Sequence, residues 1–336
     1  MAERGPGARE RIMSDILLSV RVAARHEAAQ DIVSLDLEDP ASGLLPAFTP
    51  GAHIDVHLPG GLIRQYSLMS DCRRRDRFRI GVLREPRSRG GSVALHDQVR
   101  EGDLLQISAP RNRFELAPAE HSLLLGGGIG ITPILCMATE LGALGADFAL
   151  HYSCRSRARA AFLEDIAPFE QAGHAHLHFD DEPDTALDAA ALLARAARDQ
   201  AQVYVCGPAG YIEFIRAQAR AAGIPDARVH FELFALDEAD KPRPGDQDQA
   251  FQVQLASTGE IFDIPADETV THALDRQGVF IPVSCEEGIC GTCLTGVKSG
   301  TPDHRDSYLT DDEHAANDQF TPCCSRARTP LLILDL

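Results

Sequence analysis

Positive charge is in short supply in this 336-residue chain: 32 Lys and Arg face 50 Asp and Glu, a net charge of −18. That balance argues against binding nucleic acid or an anionic membrane surface, because both need clustered positive charge. No apolar run approaches the ~18 residues needed to span a bilayer. Met1 to Arg11 also lacks an apolar stretch behind it that resembles a signal sequence. The expectation is a soluble, cytoplasmic, monomeric protein that binds no nucleic acid and no membrane. Internal repeats are missing too. The 13 histidines include no pair at metal-ligand spacing near a carboxylate, so they read as surface or core residues. What the chain does have is 44% hydrophobic residues, enough to give two or three domains real cores. Its nine cysteines, an odd number, suit metals better than disulfides in a reducing compartment.

Charge and cysteine are unevenly spread. Residues 1–118 carry a net +1, residues 119–249 carry −10 and residues 250–336 carry −9, and the last block holds five of the nine cysteines. The segment 237–249 is polar, rich in Pro and Gly, and without apolar periodicity, which reads as a linker. The predicted organisation is an N-terminal extension (1–13), a β-rich domain (14–118), an α/β domain (119–236), the linker (237–249) and a separate C-terminal domain (250–336).

In the first domain, residues 31–37, 53–58 and 77–83 alternate apolar and polar side chains and are separated by Gly and Pro turns, as in an antiparallel barrel or sandwich. The second domain changes rhythm. Apolar strands at 121–125, 148–152, 174–179, 202–206 and 228–233 alternate with helices near 133–142, 159–171, 187–199 and 209–222, which predicts a parallel sheet covered on both faces. The third opens with alternating Phe251, Val253 and Leu255, then a strand at 261–264, a short helix near 269–277 and cysteine-rich loops.

The most specific motif is Cys285-Glu-Glu-Gly-Ile-Cys290-Gly-Thr-Cys293, followed after 29 residues by Cys323. This is the C-x4-C-x2-C…C spacing of plant-type [2Fe–2S] ferredoxins. Gly288 and Gly291 let the loop wrap closely around a small cluster. A four-cysteine zinc site also uses thiolates, but it usually presents two separated C-x2-C knuckles. Cys324 competes with Cys323 for the fourth position, and the spacing favours Cys323. In the second domain, Gly126-Gly-Gly-Ile-Gly-Ile-Thr-Pro133 joins a strand to a helix, with Thr132 as a candidate cap and Pro133 suited to the first turn. It does not fit G-x-G-x-x-G, yet its glycines allow a pyrophosphate close to backbone N–H groups. Cys206-Gly-Pro208 ends another strand, and two such strand ends create the crevice where α/β folds bind nucleotides. In the first domain, Arg64-Gln-Tyr-Ser67 supplies a phosphate clamp, an aromatic face and a hydroxyl, and Gly90-Gly-Ser92 opens a helix that makes a second candidate anion site. The basic run Arg73-Arg-Arg75 with Arg77 and Arg79 reads as a solvated edge, or as a surface for an electron-transfer partner.

Taken in this order, the motifs resemble the phthalate dioxygenase reductase family, and within it the reductase components of aromatic Rieske oxygenases. The resemblance covers about residues 14 to 336 and includes Pro302-Asp-His-Arg-Asp306 and the tail from Cys323 to Leu336. It implies three modules: an antiparallel flavin-binding β-barrel, a parallel ferredoxin-reductase-like α/β domain and a C-terminal β-grasp ferredoxin. The cofactors implied are FMN and a [2Fe–2S] cluster, with NADH as substrate. Carried over by position, Arg64 and Gly90, Gly91 and Ser92 hold the FMN phosphate. Gln65 lies within the same motif, Tyr66 and Ser67 contact the isoalloxazine, and Val82, Leu83 and Arg84 run along its edge. Gly127, Gly128, Gly130 and Thr132, with Cys206, Gly207 and Pro208, line NADH, and Asp180 faces the adenine ribose. Phe231 or Phe234 stands near the nicotinamide. Ser67 and Cys206 take the catalytic positions, and Cys285, Cys290, Cys293 and Cys323 ligate the cluster. The implied electron path runs from NADH through FMN and the cluster to a Rieske oxygenase acting on an aromatic acid or methyl ether, as in O-demethylation of vanillate-like compounds. That partner would dock near the acidic ferredoxin domain. The alternatives are a quaternary-amine or haem-thiolate oxygenase as acceptor, or a redox-sensing protein without turnover.

Overall fold

The computed structural model describes residues 17–85, 90–236, 241–242, 245 and 248–336. The N-terminal extension and most of the 237–249 segment lie outside them. The chain divides into two compact units, the first ending at Leu233 and the second running over Phe234–Leu336.

The first unit begins with β1 (Leu18–Ala29), β2 (Ile32–Glu38), β3 (Ala52–His57), β4 (Ile63–Ser67) and β5 (Phe78–Leu83), followed by helix α1 (Gly91–Gln98), β6 (Leu104–Ile107) and β7 (Arg111–Asn112). Its strands run in the order β4-β3-β6-β1-β2-β5, with β7 on β3. An antiparallel bridge from Leu68 to Ile80 joins the two ends and closes the sheet into a barrel. The alternation read from the sequence explains the interior. Val20 and Val22, Leu35 and Leu37, Ile54 and Val56, and Ile80 and Val82 are fully buried at two-residue intervals. The basic run from Arg73 to Arg79 is largely offset by nearby acids: Arg73 pairs with Asp71, Arg74 with Asp76, and Arg77 and Arg79 share Asp36, while Arg75 donates to Leu45 O at 2.8 Å.

The same unit continues through β8 (His121–Gly127), α2 (Ile131–Leu144), β9 (Asp147–Cys154), α3 (Leu163–Gln171), β10 (Ala175–Phe179), α4 (Ala189–Arg198), β11 (Gln202–Gly207), α5 (Ala209–Ala221) and β12 (Val229–Leu233). All five strands are parallel, in the order β10-β9-β8-β11-β12. Ile134, Met137 and Leu141 of α2 and Ile166 of α3 pack with Leu124, Leu150 and Tyr152 on one face. Leu193 of α4 and Ile212 and Ile215 of α5 pack with Leu123, Leu125, Val203 and Val205 on the other. The near-continuous apolar strands follow from burial on both faces. The chain reverses direction of travel across the sheet between β8 and β11, so a crevice opens beyond their carboxyl ends. One expectation is corrected here. Thr132 does not cap α2: the helix starts at Ile131 after Gly130, and the Thr132 hydroxyl, already inside the first turn, donates to Ile129 O at 3.1 Å.

The second unit contains β13 (Phe251–Leu255), β14 (Ile261–Ile264), α6 (Val270–Asp275), β15 (Thr295–Ser299), β16 (Pro302–Asp303), α7 (Asp311–Ala316), β17 (Gln319–Phe320), β18 (Arg326–Ala327) and β19 (Leu331–Leu334). The main sheet runs β14-β13-β19-β15-β17 and is mixed, β13 and β19 pairing in parallel. It packs on α6 through Phe251, Val253, Val270, Ala273, Leu274, Leu332 and Leu334, a small sheet grasping one helix. Among the described residues, no helix is long and apolar enough to cross a membrane.

Candidate functional site

In the barrel, β4 carries Arg64, Gln65, Tyr66 and Ser67. α1 begins beside it. Gly90 precedes the helix at φ +87°, and no side chain caps the first turn. A Cβ on Gly91 would stand 2.4 Å from Arg64 Cγ and 2.5 Å from its Nε, so the arginine crosses the helix N-terminus only because residue 91 has no side chain. A guanidinium and helix N–H groups converging this way suit a phosphate. The buried Ser92 accepts from Glu85 N at 3.1 Å, which fixes the turn into the helix. The His96-Asp97 pair has a mechanical use: His96 Nε2 is 2.9 Å from Val82 O, and Asp97 pairs with Arg84 at 2.5 Å. Both contacts hold Val82, Leu83 and Arg84 against α1.

At the switch point of the parallel sheet, a Cβ on Gly130 would lie 2.3 Å from Cys206 O and 2.5 Å from Gly207 N. The turn after β8 is therefore pressed directly onto the turn after β11, bringing Gly127, Gly128 and Gly130 together with Cys206, Gly207 and Pro208. Thr132 is buried behind them, its methyl against Gly81 of the barrel. Asp180 is exposed just past β10, its N–H donating to Cys154 O at 3.0 Å, at the same end of the sheet but two strands from β8. Phe231 is not brought to this place. Its ring stacks under the Arg216 guanidinium of α5, 4.3 Å away. Phe234 follows directly after the last residue of β12 and is 40% exposed.

Of the two residues between those phenylalanines, Glu232 is the one sequence reasoning passed over. Glu232 sits beside Cys206 in the β11–β12 register and reaches the barrel, where Ser67 Oγ donates to its Oε2 at 3.3 Å. His53 Nδ1 stands 3.9 Å from Glu232 Oε1 and makes no hydrogen bond. Burial pushes the Glu232 carboxyl up to about 8. It also raises the Cys206 thiol, with Glu232 adding to the effect. His53 is driven down to about 3 by burial and by Arg111 and Arg113. At neutral pH this joint therefore holds a protonated carboxyl, a neutral imidazole and a thiol. The signal available beforehand was a single acid inside the apolar strand His230-Phe-Glu-Leu-Phe234.

In the second unit, Cys290, Cys293 and Cys323 are buried, and Cys323 lies against Cys285 and Cys293. Glu287 N and Ile289 N donate toward Cys285 Sγ at 3.4 and 3.5 Å, and Cys285 N toward Cys290 Sγ at 3.4 Å. Gly288 and Gly291 both take positive φ, +74° and +70°. A Cβ on Gly291 would enter the Tyr308 ring at 2.1 Å. Cys324 turns to Thr321 Oγ1 at 3.3 Å and packs against Gly288. Four thiol groups within one tight loop and its partner, with backbone N–H groups aimed at sulfur, form a donor set that fits a [2Fe–2S] cluster.

Comparison with known proteins agrees with this geometry. Residues 253–328 match the 2Fe-2S iron-sulfur cluster binding domain. Over 322 residues the chain is 51% identical to the vanillate O-demethylase oxidoreductase of Pseudomonas sp. (strain HR199 / DSM 7063), covering 95% of this chain and all of that one. Among solved structures, phthalate dioxygenase reductase, described as modular for electron transfer from pyridine nucleotides to [2Fe-2S], aligns with a TM-score of 0.70 at 36% identity over 96% of this chain and 98% of its own. An intact type IV self-sufficient cytochrome P450 monooxygenase aligns with a TM-score of 0.79, also at 36% identity, with 96% of this chain covering 41% of it. The chain belongs to the phthalate dioxygenase reductase family, the electron-transfer reductase components of oxygenase systems.

Proposed function

We propose that this protein takes hydride from NADH and delivers single electrons through FMN and a [2Fe–2S] cluster to a Rieske oxygenase acting on an aromatic acid or methyl ether of the vanillate type. Bound flavin supplies the conversion between two-electron and one-electron chemistry, and the cluster carries electrons one at a time. The observation that carries this reading is the joint between barrel and parallel sheet, where Ser67, Cys206 and Glu232 meet beneath two glycine turns. Arg64 with the Gly90, Gly91 and Ser92 turn would bind the FMN phosphate. Tyr66 and Ser67, with Gln65 in the same strand and the backbone of Val82, Leu83 and Arg84, would seat the ring. Gly127, Gly128 and Gly130, with Cys206, Gly207 and Pro208, would orient NADH, and Asp180 would meet the adenine ribose. Cys285, Cys290, Cys293 and Cys323 would ligate the cluster.

The chain's own work is positioning and proton storage. Ser67 is held by Glu232, whose buried carboxyl, pushed up to about 8, holds a proton at neutral pH. The −9 of residues 250–336 favours docking on a basic patch of the oxygenase, raising encounter rate more than affinity. We place the protein in the cytoplasm as a monomer. The likeness to a P450 monooxygenase chain keeps a haem-thiolate acceptor as the second reading. Stopped-flow mixing with NADH should bleach bound flavin, and a flavin that stays oxidised would end the proposal. Cys293→Ser should leave that bleaching intact and abolish reduction of a Rieske oxygenase. Persistent transfer would make the flavin the terminal donor.

A further inference from the structure

His304 and Asp306 lie two residues apart in one turn, and the structure brings His314, eight residues further on, against them. The turn after β16 buries Asp306 completely, and α7 returns over it to bring in His314. His314 Nε2 is 3.3 Å from Asp306 Oδ1 and His304 Nδ1 is 3.7 Å from the same oxygen, with the two imidazole rings 4.4 Å apart. The first is long for an ionic hydrogen bond and the second is not one. Ligand atoms at about 2.0–2.1 Å from a tetrahedral zinc ion stand roughly 3.3 Å apart, so these separations match a shared ion better than direct bonds. His304 strengthens the case. Its side chain is only 9% exposed, and neither ring nitrogen meets a hydrogen-bond partner, although the Asn317 side chain lies near it. An imidazole with two orphaned nitrogens in a buried polar site is costly unless something completes it. The Asp306 carboxylate is already oriented, Oδ2 accepting from Leu309 N at 2.8 Å and Oδ1 from Ser325 Oγ at 3.3 Å, the kind of outer support that ligating carboxylates have.

We propose that His304, Asp306 and His314 form a second metal site in the ferredoxin unit, a two-histidine, one-carboxylate site for zinc. Its position gives it a structural role. Ser307 N donates to Gly288 O at 3.1 Å, and a Cβ on Gly288 would meet Asp306 Cα at 2.9 Å, so the site lies directly behind the cysteine loop. An ion there would tie α7 to the segment that backs this loop. The site stands on its own geometry, independent of the electron path.

Equilibrium dialysis of holoprotein against zinc chloride with a competing chromophoric chelator, followed by metal analysis, tests it. Wild type should retain one zinc per chain at unchanged iron and sulfide content. His314→Ala, at a partly exposed position, and His304→Gln should each weaken that binding at least tenfold while keeping their iron. Equal zinc retention by wild type and His314→Ala, no retention by wild type, or zinc gained only as iron is lost would each overturn the proposal. If His304→Gln fails to assemble its cluster, His314→Ala decides alone.

Discussion

Glu232 is a carboxyl whose ordinary value is 4.5, held near 8 by burial. Between those two values the folded chain keeps a proton that the unfolded chain has lost. Stability therefore falls as pH rises through this window, and the full penalty is present above about 8. Glu232→Gln removes the titrating group. Its melting temperature relative to wild type should be lowest near pH 5 and rise steadily to pH 8. A difference that does not change with pH would mean that the carboxyl is ionised in the fold. Ser67→Ala removes the hydroxyl that Glu232 receives and should slow flavin reduction by NADH about tenfold, the worth of one hydrogen bond of roughly 1.5 kcal/mol. Little of this pair was legible beforehand. Ser67 belongs to a motif, whereas Glu232 gains its meaning only when a barrel strand meets it across the joint.

At the level of elements, the glycine turns make contrasting predictions. The nearest neighbour of a methyl on Gly91 is the flexible Arg64 side chain, which can swing aside. Gly91→Ala should therefore fold normally and lose FMN, with a dissociation constant raised at least about tenfold through the lost guanidinium contact. A methyl on Gly130 meets the backbone of Cys206 and Gly207, which cannot move without parting β8 from β11. Gly130→Ala should lower the melting temperature and raise the KM for NADH together. A Gly130→Ala variant with wild-type stability would show that the two turns are not in contact. The elements themselves were largely readable from sequence. β2, β3 and β5 and the alternating strands and helices from β8 to β12 lie within a few residues of their predicted places, because burial on one face or on both writes itself as alternation or as apolar runs. The start of α2 was misplaced, since Thr132 has the chemistry of a cap but its hydroxyl is committed to Ile129 O.

For the whole molecule, the charge distribution predicts behaviour that no single residue does. With −9 on residues 250–336, transfer to a basic partner should slow severalfold as ionic strength rises from about 0.01 M to about 0.15 M, where the screening length shrinks from about 30 Å to about 8 Å. Reduction of flavin by NADH, which involves no protein partner, should stay nearly constant over the same range. Equal salt dependence of both steps would exclude electrostatic docking as the cause. Sequence by itself determined most strands and helices of the barrel and the parallel sheet, the C-x4-C-x2-C loop and the two glycine turns, because local periodicity and a loop that must wrap a small group leave their spacing in the chain. Tertiary structure alone decided the rest. It placed Phe231 under Arg216, set Glu232 against Ser67, and gathered His304, Asp306 and His314 behind the cysteine loop. Each of these brings in at least one side chain from a different element, and no spacing along the chain encodes that meeting.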